Sequence, residues 1–329
     1  MKKNWTLTAA LFVGLLVSPL SFAAKTINVT LQLPISHSLG KNWLAFKDQV
    51  EQNSKGSLQV QVFPSAQLFK DKQVPEAVGS GAIQAGSAFL GRFAGSVPSV
   101  EIVSLPFIFN SEEELRATTH PGSAMRTLID DAILKETGAR VLWWQAFGRN
   151  VYLSKQDIVI RTPKDLEGKK VRTYGKMQGW TVEALGGSPT LMSGSKQFLA
   201  YQQGAVEIGV TGVSAVKSRK LYDVMQNMTL SFDSAIEFVA IINEDFYQSL
   251  SSEEKQIINT AAKKVEQELR DHIYSEEQTT VADLEHKINI IKLTAQEREQ
   301  WKQATHDVVA RFRKENGESA ARVLAALGR

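Results

Sequence analysis

The chain has 329 residues and no cysteine. Disulfides, thiolate metal sites and cysteine nucleophiles are excluded in one step. An exported chain without disulfides must be held by its core, which suits a bacterial periplasm better than a small secreted scaffold. Long apolar runs are also missing. Beyond the first residues no stretch stays apolar for the roughly 18 residues that a membrane helix needs, so the mature chain is expected to be soluble. The histidines (37, 120, 272, 286 and 306) are scattered, and none forms His-x-x-x-His or Glu-x-x-His. Gly79-Ser80-Gly81 lacks the third glycine and the preceding strand of a dinucleotide loop, and neither a phosphate loop nor Gly-x-Ser-x-Gly occurs. Paired carboxylates occur only in helical charge runs, where a solvated face is the default. No residue set supports an enzyme, a metal or a cofactor.

A strong charge of either sign is absent too. The formal net charge is +3 and falls to about +1 without Lys2 and Lys3. This gives no electrostatic case for nucleic acid or for an anionic membrane surface. Lys2 and Lys3 open a segment whose apolar stretch runs from Leu7 to Leu20 and ends in Ser21-Phe22-Ala23. That is the pattern of a secretory signal, residues 1–23, cut after Ala23. A retained anchor is the alternative. The rest is long enough for one large or two medium domains with a substantial core.

Periodicity then places the elements. Thr26 to Leu33 and Leu58 to Phe63 alternate as half-buried strands do. Between them, Trp43, Leu44, Phe46 and Val50 are spaced as on a helix. Strand-helix-strand argues for a parallel sheet with a right-handed crossover. His37, in the loop before that helix, either touches a ligand or is merely solvated. Ile83 to Phe89 and Arg140 to Gln145 follow as strands, the latter with adjacent Trp143 and Trp144. Neighbouring strand residues point to opposite faces, so one of the two should face the core, although both serving as packing residues is as good a reading. Gly81 to Gly86 echoes Gly204 to Gly209, as two lobes built alike would. Ser218 to Val224 reads as a helix end, with Lys217, Arg219 and Lys220 on a solvated face. From Ser251, a capping residue, to about His286 there is neither glycine nor proline. Such a helix would reach roughly 50 Å, longer than one lobe, and should cross both. Ala295 to Leu327 adds two further helical stretches.

The central stretch runs from Phe147 to Ser214. Thr162 can cap a short helix with Pro163 and Asp165 in its first turn, and Gly168 can end it in a left-handed conformation. A strand from Lys170 to Thr173 then carries Arg172 towards a loop. Ligands in open α/β sheets sit beyond the carboxyl ends of strands. An arginine there can hold a carboxylate with two parallel hydrogen bonds, and a solvated strand-end arginine is the competing reading.

Phe147-Gly148-Arg149, the run Thr162-Pro163-Lys164-Asp165-Leu166-Glu167-Gly168-Lys169-Lys170-Val171-Arg172 and Gly187-Ser188-Pro189-Thr190 resemble the DctP-type solute-binding proteins of tripartite ATP-independent periplasmic (TRAP) transporters. Pro64 to Leu68 and Ser104-Leu105-Pro106-Phe107 extend the resemblance over essentially the whole mature chain. It implies an α/β fold of two lobes, a type II-like periplasmic binding protein with hinge strands and a long bridging helix. Lobe I would comprise 24–146 plus 237–276, and lobe II 147–236 plus 277–329. It implies a monomeric periplasmic receptor that captures an organic acid and delivers it to a small and a large membrane subunit. The alternative is a ligand-binding sensor partner of a membrane signalling protein.

By the same resemblance Arg172 is the carboxylate clamp, Arg149 a second anion contact and Arg92 a third. Gln67 and Phe89 fall at first-lobe contact positions. The chain also departs from the family. Where most members have Asp-Gly-Gln-Glu-Asn-Pro it has Glu207-Ile208-Gly209-Val210-Thr211-Gly212, so Thr211 replaces a ligand-contacting asparagine. Gly194 stands where an aromatic is common. Both changes imply a larger, less polar pocket, with Trp180 or Trp144 as the aromatic wall, and an acid with a bulkier or more apolar body.

Overall fold

The structure is a computed structural model that describes residues 24–329, so the expected signal segment lies outside the described residues. Ten strands form it: β1 (Lys25–Thr30), β2 (Leu58–Phe63), β3 (Ala85–Phe89), β4 (Ala139–Ser154), β5 (Lys170–Thr173), β6 (Ser188–Leu191), β7 (Ile208–Gly212), β8 (Asn227–Leu230), β9 (Ala235–Asn243) and β10 (Asn289–Lys292). The main order is β2-β1-β3-β9-β4-β7-β5-β6, with β8 joining β4 to β10. β1 and β2 pair in parallel around the helix Ser38–Asn53, as the alternating strands and the apolar face between them require.

The glycine echo has a structural counterpart. β3 in one half and β7 in the other each follow a helix and a turn, and each lies between the hinge strands and the rest of its half sheet. β4 and β9 pair antiparallel along most of their lengths and carry the chain through both halves. The pairing shifts register between Ala146 and Gly148, and Gly148 adopts φ 116°. A bulge bends a strand and increases its twist, so this one turns β4 where the first half passes to the second. Trp143 and Trp144 are both fully buried, in different core clusters on opposite faces of β4.

Ser252–Leu284 is one helix of 33 residues, started by a capping box between Ser251 and Glu254. It packs on the helix Ser38–Asn53, on β4 and on the helix Val213–Ser218, and so spans both halves. Its buried side combines apolar residues such as Ile258, Val265 and Ile273 with charged ones. Glu266 meets Arg126, Arg270 meets Glu237, and Glu277 meets Arg149. After β10 come the helices Ala295–Ala304 and His306–Ala326. The last of them buries Phe312, Val323 and Leu324 in a cluster with Ile129, Ile133 and Ile241.

Candidate functional site

The expected local chemistry holds around β5. Thr162 and Asp165 form a reciprocal cap on a 3₁₀ turn, Pro163–Leu166, and Gly168 takes φ 71°. Glycine reaches that conformation without steric cost. The chain then enters β5, whose Val171 and Arg172 lie beside Ile208 and Gly209 of β7. Tyr201 packs so close to Gly209 that a Cβ there would sit 1.9 Å from its hydroxyl. β5 thus places Arg172 beside β7 and near Tyr201.

A cleft of about 420 Å³, its open mouth included, lies between the two half sheets. Gln32, Asp71, Phe89, Arg92 and Phe238 line it from one side. Arg172, Tyr174, Gly194, Gln197, Thr211 and Arg219 line it from the other. The apolar walls are a connected slab: Phe147 stacks on Phe238 at 5.2 Å, and Phe89 meets Tyr174 edge-on at 5.0 Å.

Arg172 is only 2% exposed. Its Nε and one terminal nitrogen donate to the Met192 carbonyl at 3.0 and 2.8 Å. The other terminal nitrogen donates to the Val210 carbonyl at 2.6 Å. A guanidinium has five N–H groups, so one on each terminal nitrogen goes to no backbone carbonyl, with the Tyr201 hydroxyl beside them. Among the described residues no carboxylate lies within 4.0 Å of it. Burial lowers its pKa from the ordinary arginine value, since desolvation penalises the charged form.

Arg92 stands differently. Its Nε donates to Asp71 Oδ2 at 2.9 Å, and a terminal nitrogen reaches the same oxygen. Its guanidinium also lies 5.7 Å from the centre of the Phe89 ring. Asp71 Oδ1 is buried with no hydrogen-bond partner. Arg92 therefore lines the cleft with its charge already answered.

The cleft brings together four of the seven expected residues: Arg172, Arg92, Thr211 and Phe89. Three lie elsewhere. Arg149 donates through Nε to Glu277 Oε1 at 2.9 Å and lies over the Phe232 ring at 3.7 Å. Gln67 is exposed on the loop after β2, outside the cleft lining. Trp180 packs in a core cluster, covered by Lys176 and Arg311 at 4.5 and 4.1 Å from its ring. Trp144 is turned to Asp130. The aromatic walls are Phe89, Phe147 and Phe238 instead. Phe147 is in the quoted motif, and its alternation on β4 was the available signal. His37 caps the first helix, accepts from Leu39 N and packs against Phe147 with the rings tilted at 35° and 4.8 Å apart.

Arg219 was read as part of a solvated face, yet it lines the cleft. The helix Val213–Ser218 ends one residue before it, and Lys220 then takes φ 51°. That break turns Arg219 inward. Beside Gly194 lies this charged group: a Cβ at residue 194 would be 3.2–3.3 Å from the Arg219 guanidinium.

Comparison with known proteins identifies the family and the fold. Residues 31–316 match the family model DctP, bacterial extracellular solute-binding protein family 7. The C4-dicarboxylate-binding periplasmic protein DctP of Rhodobacter capsulatus is 27% identical over 82% of this chain and 82% of its own length. The sialic acid-binding periplasmic protein SiaP of Vibrio cholerae is 26% identical over 93% of this chain and 94% of its own. In structure, DctP7 of Bordetella pertussis, a solute receptor binding pyroglutamic acid, aligns with a TM-score of 0.87 at 20% identity, over 93% of this chain and 100% of its own. A TRAP periplasmic solute-binding protein of Sulfurospirillum deleyianum with bound succinate aligns at 0.85 and 23% identity, with the same coverage. The fold is the two-lobed α/β fold of these receptors. The chain belongs to the DctP family of TRAP solute-binding proteins, a family of receptors and not of enzymes.

Proposed function

We propose that the mature protein is exported to the periplasm, where it closes on an organic acid and delivers it to the small and large membrane subunits of a TRAP transporter. The lobes divide as 24–146 with 237–276, and 147–236 with 277–329. They hinge where β4 and β9 cross the bulge at Ala146 and Gly148, and the long helix spans both. The ligand carboxylate takes the two remaining N–H groups of Arg172. Phe89, Phe147 and Phe238 pack on its body, and Thr211 offers a short hydroxyl at its side. Closure excludes water and strengthens the pairing, because charge interactions grow as the local dielectric falls.

One observation carries this reading: Arg172 is buried, two of its N–H groups go to no backbone carbonyl, and no carboxylate lies within 4.0 Å of it among the described residues. A buried unpaired charge is costly, and a ligand carboxylate removes that cost on binding. No feature of the site favours the sensor reading. The test is thermal unfolding of the mature protein against sugar acids, dicarboxylates, aromatic acids and branched 2-oxo acids. A ligand at 100 times its dissociation constant stabilises by about 2.7 kcal/mol if it binds only the folded state. A carboxylate hit that disappears in Arg172→Ala supports the reading. Response only to neutral or cationic solutes sinks it.

A further inference from the structure

We propose that Arg219 is a second anion anchor, so that the ligand carries two acid groups, one held by Arg172 and the other by Arg219. This rests on the receptor reading and deepens it.

Three observations converge on Arg219. First, it is under-satisfied. Its Nε is buried with no hydrogen-bond partner, and its one hydrogen bond runs from a terminal nitrogen to the Gln32 carbonyl at 3.4 Å. Native structures rarely leave a buried donor in that state. Second, its charge is unanswered. Among the described residues no carboxylate lies within 4.0 Å of Arg219 or Arg172, and the one acid lining the cleft, Asp71, is held by Arg92. Third, its place is made for it. Glycine at residue 194 lets the guanidinium lie against the backbone, where a Cβ would come within 3.2–3.3 Å of it and press it aside.

The charge count follows. Three arginines face one aspartate across this cleft, which leaves two positive charges to answer. A monoacid answers one and leaves a cation stranded in a closing, water-poor space. The local field agrees with the geometry. Burial first, and the Arg172 charge second, pull the Arg219 pKa down to about 10, so a second negative group there relieves both effects. His37 adds no charge, because burial and then Arg219 push its pKa down to about 3. The Gln32 carbonyl belongs to the opposite half of the cleft, so Arg219 also reaches across the closing gap. Two carboxylates, or a carboxylate with a phosphonate or sulfonate, share the chemistry that fits.

The experiment is titration calorimetry of the mature wild type, Arg219→Gln and Arg172→Ala with unbranched aliphatic diacids of three to six carbons and with the monoamide of each. Wild type should prefer a diacid over its own monoamide by on the order of 100-fold, because the amide leaves a buried charge unpaired. Arg219→Gln should erase that preference, weakening the diacid about 100-fold while changing the monoamide only a few-fold. Equal wild-type affinity for diacid and monoamide overturns the proposal, and so does an equal loss for both in Arg219→Gln. Tight monoacid binding that depends on Arg172 would remove this inference alone. Carboxylate binding unaffected by Arg172→Ala would remove the receptor clamp beneath it. An unchanged far-ultraviolet spectrum and cooperative melting of Arg219→Gln show that the variant is folded. If it is not, Arg219→Lys serves, with diacid preference reduced but present.

Discussion

Two groups of arginines, most of them largely withdrawn from solvent, divide this molecule. Along the bridging helix each arginine has its own glutamate: Arg126 with Glu266, Arg270 with Glu237, and Arg149 with Glu277. In the cleft Arg172 and Arg219 have none among the described residues, although Arg172 is buried as deeply as the others. The same side chain is a strap in one place and an open receptor in the other. What differs is whether the chain supplies the counter-charge. Burial costs both groups desolvation, and only the strapped group recovers it within the fold.

Removing an arginine from either group should break that contrast in opposite ways. The largest effect is expected on binding: Arg172→Ala should weaken the ligand by at least about 10³-fold, since a carboxylate is left unpaired in a closing cleft, and calorimetry measures it directly. Next comes stability. Arg270→Met leaves Glu237 buried and unpaired and should cost about 3–5 kcal/mol in urea unfolding. Adding Glu237→Gln should restore part of that loss, and no restoration would mean that the pair is not the cause. Arg149→Met sharpens the comparison at the boundary. It should destabilise the fold by releasing Glu277 while lowering ligand affinity far less than Arg172→Ala does. A loss of binding as large as that of Arg172→Ala would place Arg149 with the cleft group.

The smallest effect concerns an acid without an arginine partner. Glu101 is buried, accepts from Met177 N at 3.1 Å, and burial pushes its pKa up to about 7. Between its unfolded value near 4.5 and about 7 the folded state binds more protons than the unfolded one. The stabilising protonation of Glu101 is therefore present below that window and lost as pH rises through it. Asp130, raised to about 6 by burial, acts in the same direction. Glu101→Gln should flatten the fall in stability from pH 5 to pH 8, read by urea unfolding at each pH. An unchanged slope would assign the dependence to other groups.

The elements legible in the sequence are those with a local cause. The Thr162–Asp165 cap, the glycine at 168, the helix free of glycine and proline, and the alternation of β1 and β2 each depend on neighbours a few residues away. Arg172, Arg92, Phe89 and Thr211 were reached through the resemblance, and the structure brings all four to the cleft. Long-range pairing was not legible. Nothing near Arg149 in the sequence announces Glu277, 128 residues on. β4 is also longer than its apolar run suggested: it extends to Ser154 because β7 and β8 supply partners for its second half. The run Lys217 to Lys220 looks like a solvated face because charge spacing cannot register a helix that ends at Ser218 and turns one side chain inward. The departure at Gly194 was visible, but not that the Arg219 guanidinium lies where its side chain would begin.

The most direct test of the central claim is a crystal structure of the mature protein with its tightest-binding acid. The expected result is a ligand carboxylate within hydrogen-bond distance of both terminal nitrogens of Arg172, with Met192 and Val210 still accepting from the same guanidinium. A bound acid whose carboxylate is held elsewhere, with Arg172 still lacking any anionic partner, would contradict it.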